Sequence, residues 1–204
     1  LDAKNRGDDA AAAQLHDQVR TEIGHRVDAA GAPFFLPQLS STLGGTSSNS
    51  RLACSQLSHP DVTVGEGMTV IDSFDTGGAN RATAAIASYA YMVYASAQNL
   101  YLVQPSYGWF FAPVQRDETA IFRLALSSTG PARYSGLGKA EGWIPSSYAL
   151  SEHAGHLRVA TGTSRMTGDR VQPITLLSVL RIDAEAMPQV AQVRDIAPGE
   201  ALRG

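Results

Sequence analysis

The residues best able to do chemistry stand together in SYALSEHAGHLRVATG (147–162), which holds Glu152, His153 and His156. Two neutral imidazoles can bind a transition metal, and with a carboxylate beside them they make a small catalytic or metal-binding cluster. The same letters also spell a hairpin. Ala154-Gly155 sits where a two-residue loop belongs, and Gly155 can supply a positive φ at little steric cost. On that reading His153 and His156 are cross-strand neighbours at the rim of the turn. Tyr148, Leu150 and Glu152 alternate with Ala149, Ser151 and His153, while Leu157, Val159 and Thr161 share one face of the returning strand. A catalytic metal needs at least a third ligand, and no other His lies nearby in the sequence. The hairpin rim is therefore the preferred reading, with a metal at His153, His156 and Glu152 as its competitor. Arg158, inside an apolar strand, is expected either to face solvent or to pair with Glu152 or Glu141, because a buried charge requires a partner.

Other chemical signals are weaker. No GxSxG nucleophile elbow occurs, and neither His has a recognisable Ser and Asp partner. GEG (65–67) and GLG (136–138) lack the pattern and following helix of a phosphate loop and read as turns. Asp72 to Gly78 (DSFDTGG) carries oxygen donors at alternate positions, as a Ca2+ site does, but lacks the closing bidentate Glu. Calcium is the one cofactor the sequence raises; otherwise none is expected. Tyr107, Trp109, Phe110 and Phe111 form the densest aromatic patch, SYGWFFAP. It serves either as packing between strands or as an exposed recognition surface. Cys54, the single cysteine, is expected to be a small buried hydrophobe with an inert thiol.

Composition excludes several partners. The chain's 204 residues are 44% hydrophobic and 17% charged, enough for a real core. Its formal net charge of −3, with the 16 Lys and Arg scattered, argues against nucleic acid, which needs a basic stripe. No apolar run approaches the roughly eighteen residues of a membrane helix. The opening Leu1-Asp2-Ala3-Lys4 is polar with no apolar signal region after it, and a start without Met reads as a processed or excised chain.

The elements that must position these groups fall into two segments. Residues 1–61 hold a helical lead and a Ser/Gly-rich linker. AAAAQLHDQVRTEIGHRVDAAG places Leu15, Val19, Ile23 and Val27 on one stripe, by which the helix is expected to dock, with Gly31 as its stop. SSTLGGTSSNS (40–50) reads as mobile loop. Residues 62–204 change to a period of two. MTVIDSF, ATAAIASYAYMVYAS, NLYLVQ, AIFRLAL, SYALSEH, HLRVATG and ITLLSVLRID are strand-like runs separated by turn chemistry, with no helices between them. That pattern favours an antiparallel all-β architecture: sandwich, barrel or propeller blades.

Three stretches narrow the choice. VYASAQNLYLV (93–103) reads as a strand, a tight turn at Gln98-Asn99 and a returning strand with Tyr101. GKAEGWIPSSYALSEHAGHLRVATGT (138–163) and VAQVRDIAPGEALRG (190–204) follow in order. Together they resemble the secreted bacterial and archaeal proteins whose β-propeller domain is distantly related to WD40 repeats, over roughly residues 60–204. The Leu-Arg-Val-Ala-Thr passage is the most specific part. The resemblance implies a mainly β chain, a partial β-propeller of about two to three antiparallel blades preceded by an N-terminal α-helix. The ring is expected to be incomplete, with the remaining blades of a longer propeller, another protein or self-association covering its open edges. It further implies a secreted or cell-envelope location and a non-enzymatic binding or scaffold role. An envelope hydrolase or metal-dependent enzyme near His153 and His156 is the alternative.

Overall fold

The computed structural model describes residues 9–60, 67–78, 81–106 and 118–203. They divide into two compact units, Leu1–Gln56 and Leu57–Gly204.

In the first unit, the alanine-rich run forms α1 (Asp9–Ala30), which stops at Gly31, and a short α2 (Ala32–Phe35) follows with Pro near its start. Within this unit Leu15, Val19, Ile23 and Val27 form an exposed apolar stripe. The Ser/Gly-rich stretch departs from expectation. It forms a hairpin, β1 (Gln38–Leu43) with β2 (Thr46–Arg51), paired from Gln38↔Arg51 to Leu43↔Thr46. Gly44-Gly45 supplies its two-residue turn, and the flanking Ser and Thr tolerate an extended backbone with no face to bury. Cys54 lies exposed in a short 3-10 turn, not buried.

The second unit is mainly β. Strand β3 (Leu57–Ser58) joins β4 (Thr69–Ser73) and β5 (Ala82–Ile86) in a three-stranded sheet. Strands β6 (Met92–Ala95), β7 (Asn99–Ser106), β8 (Glu118–Ala125) and β9 (Arg133–Glu141) form an antiparallel meander, with β13 (Ala186–Met187) added parallel to β9. Strands β10 (Leu150–His153), β11 (His156–Thr167), β12 (Arg170–Arg181) and β14 (Gln189–Arg194) form a second antiparallel meander. Among the described residues this unit thus holds one five-stranded, one four-stranded and one three-stranded sheet, a number that matches the expected two to three blades.

The middle sheet is covered on both faces, which explains its sequence. Tyr101, Val103 and Ile121 pack with Leu150, Leu157, Val159 and Leu180 of the second meander. Leu102, Ala120, Phe122 and Leu124 face the other way and pack with Ile86 and Ile71 of the first sheet. A strand buried on both faces loses its alternation, so Thr119 to Leu124 are all buried.

Local differences from the sequence reading have clear causes. ATAAIASYAYMVYAS breaks into β5 and β6 across residues 87–91. Asn99 begins β7 and is not a turn residue; the turn is closed by Ser96, whose Oγ accepts from the Asn99 N–H at 3.0 Å. GLG (136–138) is no turn but the interior of β9. A Cβ on Gly138 would lie 2.8 Å from Leu180 Cδ1 and 3.0 Å from Met187 Cβ. These glycines let two other segments approach the strand closely. Of GEG (65–67), only Gly67 falls within the described residues.

The crossing from the first meander to the second is pinned at Glu141-Gly142-Trp143. Thr119 Oγ1 donates to the Gly142 carbonyl and Thr161 Oγ1 to the Glu141 carbonyl, each at 2.6 Å. Trp143 and Gly162 exchange backbone bonds of 2.8 and 2.9 Å.

Candidate functional site

The 147–162 stretch is a hairpin. Leu150↔Val159, Ser151↔Arg158, Glu152↔Leu157 and His153↔His156 face each other in register. Ala154 at φ 49 and Gly155 at φ 72 make the two-residue turn, a geometry whose twist matches the strands. His156 Nδ1 lies 2.8 Å from the Ala154 carbonyl. Gly155 has open space where a Cβ would stand, so its need for glycine is one of backbone alone.

A turn with two positive φ angles sets one expectation. Gly155→Val should cost about 1–2 kcal/mol, and Ala154→Gly should gain roughly 0.5 kcal/mol, because glycine holds this conformation without strain. His153→Ala, at an exposed site, should change stability by no more than about 0.5 kcal/mol. Thermal melts of the three variants check the order.

Strand pleating divides the proposed cluster. Adjacent residues point to opposite faces, so Glu152 and Leu157 turn toward the core while His153 and His156 lie on the other face. Among the described residues no group of three His, Cys, Asp or Glu is placed to hold a metal ion. Arg158 is exposed opposite Ser151 and Val179, on the face away from Glu152. Glu141, its other expected partner, is held by Arg194 at 2.9 Å.

Glu152 has a different set of neighbours, which the sequence reading missed. Asn99 Nδ2 donates to its two carboxylate oxygens at 3.0 and 3.1 Å, and the Tyr101 hydroxyl donates at 2.7 Å. The Glu152 backbone N–H donates to the Tyr94 hydroxyl at 3.1 Å. Tyr94 and Tyr101 sit opposite each other on β6 and β7 with stacked rings 5.7 Å apart. Burial, reinforced by the hydrogen bond to Glu152 and its charge, pushes the Tyr101 phenol well above its ordinary value. It therefore stays a proton donor to the carboxylate at any ordinary pH. Next across the sheet from Tyr101 is Arg123, buried within β8. Its guanidinium donates to Ser135 Oγ and O at 2.9 and 2.8 Å and to the Ala184 carbonyl at 3.2 Å.

One signal in the sequence pointed here. Glu152 occupies a core-facing position of an amphipathic strand, where a carboxylate must find donors. Which donors it would find depended on a sheet some fifty residues upstream, and no spacing rule reaches that far. Chemically the cluster is a polar tie between two meanders, with both carboxylate oxygens engaged.

The remaining candidates resolve as follows. Tyr107, Trp109, Phe110 and Phe111 lie outside the described residues. In DSFDTGG, whose first two residues belong to β4, Asp72 accepts from Arg81 Nε at 2.7 Å and from its ladder partner Thr83 Oγ1 at 2.6 Å. The hydrogen bond from Arg81 holds the Asp72 carboxyl below its usual range. A calcium ion there would have to displace that guanidinium. A lowered carboxyl stabilises the fold above the ordinary carboxylate pKa of about 4, and the contribution is lost as pH falls through the lowered value. No helix is long and apolar enough to cross a membrane among the described residues.

Against known proteins, the sequence model of a family described as a beta propeller domain matches residues 7–204. No curated protein and no solved structure matches the chain.

Proposed function

The chain belongs to the beta propeller domain family, and from that membership we propose that it is a non-enzymatic binding or scaffold module, exported and working at the cell envelope. Its partner is another protein or further blades of a longer propeller. Propeller-type sheets offer faces and edges for association, which is the role the family most readily supports. The export part of the reading rests on the resemblance of the Leu-Arg-Val-Ala-Thr passage to secreted proteins.

The observation that carries the binding role is the outer face of the second meander. Leu177 and Val179 on β12 and Val193 on β14 alternate outward, opposite the buried Leu176, Ser178 and Leu180. Val193 is 57% exposed, and Leu177 and Val179 are half-buried. The middle sheet is apolar on both of its faces, and both are covered by neighbouring sheets. A sheet face of this kind gains from cover at about 25 cal/mol per Å² of apolar area.

Sedimentation equilibrium tests the reading. The chain should associate with rising concentration, and Leu177→Lys should shift it to monomer while leaving the melt within about 1 kcal/mol. A wild-type chain that stays monomeric at high concentration, with Leu177→Lys indistinguishable from it, would count against the face as a contact surface. Metal analysis in the same preparations addresses the competing enzyme reading: stoichiometric zinc or copper lost in His156→Ala would favour it.

A further inference from the structure

Trp143, one residue past Gly142 at the pinned crossing, is fixed in place yet open to solvent. Its backbone exchanges hydrogen bonds with Gly162, and a Cβ on Gly162 would lie 3.1 Å from its Cε2 and Cζ2 and 3.2 Å from its Nε1. The indole therefore rests directly against the strand, and the missing side chain at 162 is what lets it lie there. The ring is nonetheless 41% exposed, and among the described residues nothing accepts from its Nε1–H. An immobilised indole with its one donor unused is preorganised for a ligand.

The ring is also the wall between two clefts. On one side about 60 Å³ opens between Trp143, Tyr91, Pro105 and Pro145. On the other about 240 Å³ opens between Trp143, Val171, Pro173 and Leu202. Among the described residues no charged side chain lines either cleft, so the site offers nothing to an ionic ligand. The larger cleft is continuous with the outer face of the second meander. Gly162 in its floor lies two residues along β11 from Ala160, on the same side of the strand, and Ala160 pairs with Leu177.

Two uncharged clefts divided by one indole match one ligand shape. A polyproline II segment repeats every three residues, roughly 9 Å, and makes no internal hydrogen bonds, so its carbonyls are free to accept. Prolines three residues apart can enter the two clefts while a carbonyl between them accepts from the indole N–H, a pairing that aromatic-lined grooves favour. A single sugar ring or apolar side chain would fill one cleft only.

We propose that Trp143 is the centre of a docking site for an extended Pro-x-x-Pro segment of a protein partner, with one proline on each side of the indole. The proposal rests on the reading of the chain as a binding module and supplies the chemistry of its partner.

The probe is a labelled synthetic peptide, APAAPA. Fluorescence anisotropy should show saturable binding to the whole chain, about tenfold tighter than that of the control AAAAAA. Trp143→Phe keeps a ring beside Gly162 but removes the N–H, and should weaken binding about fivefold. Tyr91→Ala and Val171→Asp alter opposite clefts at exposed positions, so both chains should fold, and each should weaken binding by about fivefold. Absence of saturable binding, equal binding of the two peptides, or either cleft variant binding as wild type would overturn the proposal. Displacement of the peptide by cellotriose at matching affinity would assign the indole to a sugar and overturn it equally. None of these outcomes depends on Leu177, so the sedimentation test and the peptide test can fail separately.

Discussion

Gly142→Ala is expected to destabilise the second unit severely, by about 2–5 kcal/mol. Gly142 holds φ +90°, a conformation that L side chains rarely adopt, and a Cβ there would approach the Gly162 carbonyl oxygen at 2.4 Å. The obstacle is backbone, and it belongs to the bridge that ties Trp143 to Gly162. Relief would have to break that bridge or the bonds from Thr119 and Thr161 that hold the crossing. Backbone strain of about 1–2 kcal/mol and overpacking of about 1–3 kcal/mol together amount to a large fraction of the roughly 5–15 kcal/mol that holds a domain folded. Gly168→Ala is the control. Gly168 also has a positive φ, but a Cβ there would meet nothing within 4 Å, so only the backbone cost applies. Urea unfolding of the two variants should give widely separated midpoints; equal midpoints would mean the crossing is not rigid.

Glu152→Ala should be the most damaging change at the polar tie, costing about 2–4 kcal/mol. It strands the Asn99 amide and the Tyr101 hydroxyl, both on buried residues, without their acceptor, and an unpaired buried donor costs about 1–3 kcal/mol. Tyr101→Phe removes one donor and leaves the carboxylate still bonded to Asn99, so it should cost nearer 1 kcal/mol. The double variant should fall short of the sum, because both changes act on one hydrogen bond. Denaturant titrations of the two single variants and the double variant provide the cycle. A Glu152→Ala chain within 0.5 kcal/mol of wild type, by about the margin of a surface change, would show that the carboxylate bears on something other than stability.

Much of the second unit was legible from the sequence because its strands follow local rules. Period-two runs located β4, β7, β8 and the hairpin of β10 and β11, and Ala154-Gly155 is the turn that its residue types demand. The helix and its stop at Gly31 were equally local. Where the local rules failed, a distant partner decided the outcome. The glycines of β9 read as turn chemistry because nothing nearby in the chain announces that Met187 and Leu180 will press against them. Residues 40–50 read as linker because Ser and Gly carry no burial pattern, yet a backbone ladder needs none.

The candidate site divides along the same line. The sequence alone determined that Glu152, His153 and His156 stand beside a tight turn, since chain proximity and the αL preference of glycine are sufficient for that. It also determined that Glu152 and His153 lie on opposite faces, because pleating permits nothing else. Only the tertiary structure decided what the carboxylate is for. Asn99 and Tyr101 reach it because two sheets stack face to face, and stacking depends on the summed burial of both sheets, not on the spacing of any one motif.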